Sequence, residues 1–154
     1  MQKKLVIALP MAGWGTRMRP HTWNKPKVLC RVAGATTLDY CLRQFEPLHQ
    51  HFNEVQYVFI VSNEDHYTKI SSHIAEHHEQ LKIEYIFQTV MEGQSKALKL
   101  AEKHFDGPLM MAFADTLIEA DFSIIADDPE TAVAWGVKVN DPQHYGVAHI
   151  DTEN

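Results

Sequence analysis

Short apolar runs alternate along this chain with stretches whose apolar residues recur at helical spacing. Leu5 to Leu9, Val55 to Val61, Ile83 to Phe87 and Leu109 to Phe113 are compact runs rich in branched and aromatic side chains. Each predicts a strand buried on both faces. Between them, Thr37 to Leu48 places Leu38, Cys41, Leu42 and Phe45 on one helical face, with Thr36 or Thr37 as a cap and Pro47 weakening the last turn. Asp65 to His78 does the same with Tyr67, Ile70 and Ile74, and Gln94 to His104 with Ala97, Leu98 and Ala101. Thr131 to Val139 and Tyr145 to Ile150 predict a fifth and a sixth strand. Strand alternating with helix predicts an α/β fold, a Rossmann-like three-layer sandwich with a mostly parallel sheet.

Length and composition narrow this picture only slightly. The 154 residues, 45% hydrophobic and 22% charged, suit one domain with a true core, and no repeat, low-complexity tract or linker divides residues 1–154. The net charge of -6 argues against a general nucleic-acid binder. It leaves room for a small anion held by a few local cations. Cys30 and Cys41 match neither a C-x-x-C pair nor a metal-ligand pattern, so they read as free thiols of a reducing compartment. The N-terminal apolar run is too short for a secretory leader, and no run approaches the roughly 20 residues that span a bilayer. The expected location is cytoplasmic.

Candidate chemistry gathers after the first run, at Pro10 to Lys27. In an open α/β sheet, ligands bind beyond the carboxyl ends of the strands. Gly13 and Gly15 let backbone N–H groups approach a ligand, and Arg17 offers a planar fork for phosphate oxygens. Arg19, Lys25 and Lys27 add positive charge. The loop is neither a P-loop nor a G-x-G-x-x-G dinucleotide fingerprint. On its own it is equally readable as a surface loop with solvated cations.

Taken whole, the loop resembles the signature of the sugar-1-phosphate nucleotidyltransferases, roughly A-G-G-x-G-T-R-L-x-P-x-T-x-x-x-P-K. Gly13, Gly15, Thr16, Arg17, Pro20, Thr22, Pro26 and Lys27 fall in place, with departures at Met11, Ala12 and Met18. Three later segments follow in order: Gln88 to Leu98, Phe113-Ala114-Asp115-Thr116, and Asp141-Pro142-Gln143-His144-Tyr145-Gly146-Val147. The resemblance implies transfer of a nucleotidyl group from a nucleoside triphosphate to a sugar 1-phosphate, with pyrophosphate leaving. It implies Arg17 and Lys27 as catalytic residues. Ala12, Gly13, Trp14, Gly15, Thr16, Gln88 and Gly93 would contact the nucleotide, Tyr145 and Gly146 would border the sugar, and Asp115 would bind Mg²⁺. A homo-oligomer is compatible with it.

Taken singly, Gln88 and Gly93 read as strand-end and loop residues, and Asp115 as a helix cap. Relatives continue past this point with a Glu-Lys-Pro segment and a second metal-binding aspartate, so the chain reads as the N-terminal part of such an enzyme or as a natural short form. Three other readings stay open. These are a non-catalytic module that binds nucleotide or nucleotide sugar, a cytidylyltransferase acting on phosphocholine or a similar phosphorylated alcohol, and a plain dinucleotide-binding domain. Among the ten histidines, His73 and His77 have metal-compatible spacing but lack a third ligand, so His77, His78 and Glu79 are expected to form a solvated face. Trp23 and Trp135 are expected to be buried or partly buried.

Overall fold

The computed structural model describes residues 4–127 and 131–148. Its main sheet holds β1 (Leu5–Pro10), β4 (Val55–Val61), β5 (Lys82–Phe87) and β6 (Leu109–Met111), in the spatial order β5-β4-β1-β6. All three pairings are parallel, and the registers run Leu5↔Val55, Gln56↔Lys82 and Val6↔Leu109. A two-residue antiparallel ladder pairs β2 (Arg31–Val32) with β3 (Ala35–Thr36).

The helices are α1 (Thr37–Arg43), α2 (Glu64–His77), α3 (Gln94–Ala101) and the short α4 (Ile124–Asp127). Uniform burial along β1 and β4 hides a period of two. Leu5, Ile7 and Leu9, with Tyr57, Phe59 and Val61, join one cluster that also holds Leu38 and Leu42 of α1 and Ile70 and Ile74 of α2. Val6, Val58 and Ile60 face the other way, onto Ala97 and Ala101 of α3. Helices therefore cover both faces, the expected three layers.

Local chemistry sets the helix ends. Thr36 and Asp39 form a capping box at α1: the Thr36 hydroxyl accepts from Asp39 N–H at 3.1 Å, and Asp39 accepts from Thr36 N–H at 2.7 Å. Asn63 caps α2 by accepting from His66 N–H at 2.9 Å. The helix expected through Leu48 stops at Arg43, and Glu46–Gln50 continues as a 3₁₀ turn with Pro47 in its first turn. Proline cannot donate an interior helical hydrogen bond but tolerates the start of a new turn. Likewise α3 ends at Ala101, and Glu102–His104 tightens to 3₁₀ geometry.

Two expected strands differ. Residues 131–139 form no strand, and neither do residues 145–148 of the segment expected through Ile150, which itself lies outside the described residues. Alternation of side chains reports a half-buried extended chain, but a strand also needs a partner backbone. Thr131 to Trp135 instead line a cavity of about 520 Å³ that they share with Pro108 to Phe113, standing off from β6. Trp135 is partly buried as expected and packs edge-on against Phe122 at 5.2 Å. Trp23, expected inside, is largely exposed.

Candidate active site

The strand order reverses direction between β1 and β6, so the crevice beyond their carboxyl ends is where ligands bind in such sheets. A pocket of about 460 Å³ opens there, within the range of small-molecule sites. The chain builds it from three strand ends and one helix start.

Beyond β1, Met11 N–H still donates to Ile60 O at 2.8 Å, and Met11 and Ala12 stay buried. The chain then turns outward at Gly13 and Trp14. Gly15 adopts the left-handed conformation (φ 60°, ψ 30°), and its carbonyl accepts from Met18 N–H at 2.9 Å and from the Thr22 hydroxyl at 2.7 Å. A Cβ at Gly15 would come within 3.2 Å of both Lys27 Cβ and Thr22 Cγ2. Glycine is thus required twice over, by φ and by space. The 3₁₀ turn Thr16–Met18 that follows carries Arg17 on the pocket lining.

Lys27 starts a second 3₁₀ turn, Lys27–Leu29, behind Pro26. The Thr37 hydroxyl donates to Val28 O at 2.9 Å, and Thr37 N–H to Cys30 O at 3.1 Å, which ties this turn to α1. The Lys27 ammonium pairs with the Asp115 carboxylate across 88 residues of sequence. Both side chains are about one-third exposed, which places such a pair at about 1 kcal/mol or less. Asp115 follows buried Ala114 in a turn closed by Thr116 N–H to Phe113 O at 3.0 Å. It caps no helix, which removes the capping reading.

Gln88 extends the β4–β5 ladder, with its N–H donating to Val61 O at 2.8 Å. Its side chain is only 4% exposed and donates to Gly93 O at 3.2 Å. Gly93 lies at φ 89° and opens α3 without a side-chain cap, so the first-turn N–H groups of that helix face the pocket rim unclaimed by a side chain. Gly13 and Gly93 both have open space where a side chain would sit.

Ten of the twelve residues singled out by sequence therefore line one pocket: Ala12, Gly13, Trp14, Gly15, Thr16, Arg17, Lys27, Gln88, Gly93 and Asp115. Tyr145 and Gly146 do not; both are exposed and lie off that lining. Sequence reasoning passed over Met91 and Gln94, which also line it. Gln94 carried a readable signal, since it opens a helix directly after a glycine. Trp14 is half exposed, with its ring 5.9 Å from that of His66.

This arrangement can hold an anion between Arg17, Lys27 and the α3 N-terminus, with one carboxylate alongside. The Cys41 thiol, behind the pocket, is a poor nucleophile. Burial pushes Cys41 up to about 11, Asp115 adds to the rise, and a hydrogen bond involving Gln44 offsets only part.

A parallel sheet with a glycine-bearing, cation-lined pocket at its switch point defines an α/β domain whose pocket chemistry suits an anionic ligand. The chain belongs to the nucleotidyl transferase family, whose model matches residues 7–154. It is 27% identical over 145 residues to the bifunctional protein GlmU of Methanococcus aeolicus, covering 93% of this chain and 32% of that protein. It is 32% identical over 111 residues to the UTP–glucose-1-phosphate uridylyltransferase AglF of Haloferax volcanii, covering 71% of this chain and 42% of that protein. Among solved structures, UDP-glucose pyrophosphorylase complexed with UDP-glucose superposes with a TM-score of 0.59 at 19% identity, over 75% of this chain and 46% of that one. The UTP-bound UGPase of Acinetobacter baumannii gives 0.57 at 16% identity, over 79% and 48%. The solved structures bear on the fold. The chain spans about a third of the length of the GlmU relatives it matches. No helix among the described residues is long and apolar enough to cross a membrane.

Proposed function

We propose that this chain binds a nucleoside triphosphate in the 460 Å³ pocket and serves transfer of its nucleotidyl group to a sugar 1-phosphate, with release of pyrophosphate. One observation carries the reading: Arg17, Lys27, Asp115, Gln88 and Gly93, drawn from three separate segments, converge on that single pocket. The UTP–glucose-1-phosphate uridylyltransferase activity of the relative AglF points to a sugar-phosphate acceptor.

The reaction asks little covalent chemistry of the protein, so positioning and charge stabilisation dominate. A sugar-phosphate oxygen attacks the α-phosphorus, and the bond to the pyrophosphate oxygen breaks in line. Arg17 holds the β- and γ-phosphates and stabilises charge on the leaving pyrophosphate. Lys27 holds the α-phosphate or the incoming phosphate. Backbone from Ala12 to Thr16 lies along the phosphates. The Gln88 amide, with donor and acceptor on one plane, reads the base edge, and Gly93 lets the base lie against backbone.

Asp115 suits Mg²⁺: it is a hard oxygen ligand in the pocket, and such sites commonly supply one or two carboxylates plus substrate phosphates. When bound, the ion neutralises phosphate oxygens. The sugar-side roles of Tyr145 and Gly146 rest on their sequence segment alone. We place the protein in the cytoplasm and propose that it assembles as a homo-oligomer.

The test is pyrophosphate release with Mg²⁺, the five common nucleoside triphosphates and a panel of sugar 1-phosphates plus phosphocholine, with thermal shift on the same samples. Release that requires one sugar phosphate supports the proposal. Release only with phosphocholine moves the acceptor to an alcohol phosphate. Stabilisation by nucleotide without release points to a binding module. In an active sample, Arg17→Ala or Lys27→Ala should lower kcat by about 10²–10³ with a smaller change in nucleotide affinity. Full turnover in either variant would overturn its role.

A further inference from the structure

Three side chains outside the pocket converge on one point. Asp39 lies in the first turn of α1, and His73 and His78 stand at the far end of α2. His73 Nε2 lies 2.7 Å from Asp39 Oδ1, and His78 Nε2 lies 2.8 Å from the same oxygen. The three atoms fall within 4.8 Å of one another, the one such group of three among the described residues. The second carboxylate oxygen is already committed, accepting from Thr36 N–H at 2.7 Å. That bond fixes the carboxylate plane and aims Oδ1 at the two rings.

The local backbone explains how His78 arrives there. Residues five apart on a regular helix point to different sides. His78 leaves the helix at φ −143°, ψ 36°, while its N–H still donates to Ile74 O at 2.7 Å. This unwinding brings its ring round beside His73, with centroids 6.1 Å apart. His77, the sequence-level partner of His73, packs edge-on against it at 4.6 Å and does not aim at Asp39.

We infer that Asp39, His73 and His78 form a binding site for a divalent transition-metal ion of the zinc class, separate from the pocket and bridging α1 to the end of α2. Two imidazole nitrogens and one carboxylate oxygen are ligands such an ion prefers, with bonds of about 2.0–2.2 Å, so tetrahedral ligand atoms sit about 3.3 Å apart. The 2.7 and 2.8 Å separations reach that spacing by opening about half an ångström. Magnesium is disfavoured, because it takes oxygen ligands in octahedral geometry. The two flanking side chains are mostly buried, as a site with one open position for water requires. The ion would lock the α1 capping box and, through Thr37 and its bond to Val28 O, the turn that carries Lys27.

The test uses the full chain stripped with chelator and titrated with Zn²⁺ against a chromophoric competitor. One Zn²⁺ per chain is expected, with a rise in melting temperature and no displacement by millimolar Mg²⁺. His73→Gln and His78→Gln keep a donor toward Asp39 but ligate zinc poorly, which separates metal loss from fold loss. Each should weaken binding by about 100-fold or more, given that even outer-shell partners are worth 10–100-fold. His77→Ala should bind as the parent does. A Co²⁺-loaded sample should show the intense visible bands of a four-coordinate site, and both glutamine variants should lose them. No stoichiometric Zn²⁺ uptake, or unaltered affinity in both glutamine variants, would overturn the site.

Discussion

At Gly15, backbone conformation and site geometry depend on each other. Its left-handed φ and its contact with Lys27 Cβ and Thr22 mean that Gly15→Ala strains the backbone and pushes on the turn bearing Lys27. A loss of about 1–2 kcal/mol is expected for an L-residue forced into this region. Urea unfolding of the variant checks it, and an unchanged midpoint would show that the loop adapts freely. Tyr85 gives a prediction of opposite character. Burial pushes its hydroxyl up to about 12, with a smaller push from Tyr67, whereas an unfolded tyrosine ionises near 10. The unfolded chain then releases its proton first. Stability is intact below pH ~10 and falls as the pH climbs from there toward 12. Tyr85→Phe keeps the ring packing and should lose less melting temperature between pH 9 and 11 than the parent. At this scale the sequence was informative for residues fixed by a motif. Gln88, Gly93 and Asp115 each had a bland reading alone, and only their order along the chain recommended them. Asp39 had none, because its partners lie 34 and 39 residues away and one of them sits where a helix unwinds.

Among the elements, α1 depends most on its first turn. Thr36 supplies one half of the capping box and contacts His73 at 3.4 Å. Thr36→Ala should cost about 1 kcal/mol, as loss of such caps usually does, measurable by chemical denaturation. Strands and helices on the sheet were legible because doubly covered strands are written as apolar runs and their helices as periodic ones. Ends were less so: Pro47 split one expected helix, and the last turn of another tightened at Glu102. The segment 131–139 failed for a different reason. Its alternation is real, but pairing depends on a neighbour that local pattern does not specify, and among the described residues β6 pairs only with β1.

For the molecule as a whole, burial is steeply graded across the sheet. Every residue of β4 is buried, while β6 has three residues, two of them exposed. Amides of Val55 to Val61 should therefore exchange with deuterium only through global unfolding, and those of Leu109 to Met111 by easier local opening. Equal protection of the two strands would contradict that gradient. Phe59→Ala, at the centre of the larger cluster, should remove about 3–5 kcal/mol. The same gradient matters for the pocket, since the Gly13 to Lys27 loop hangs from buried β1 at the centre, while Gln88 and Asp115 follow the two edge strands, β5 and β6.

The Lys27–Asp115 pair has one more consequence. At rest the two charges cancel each other, so that part of the pocket is electrically quiet. On the proposed reading, a bare triphosphate that claims Lys27 is left facing an unshielded carboxylate, and a bare divalent cation that claims Asp115 meets a released ammonium. Only the two arriving together give both side chains a new partner. Nucleotide and magnesium affinities should then be reciprocally linked, each raising the other by the same factor. Calorimetric titration of nucleotide at graded Mg²⁺ measures that factor, and Asp115→Asn should shrink it toward one.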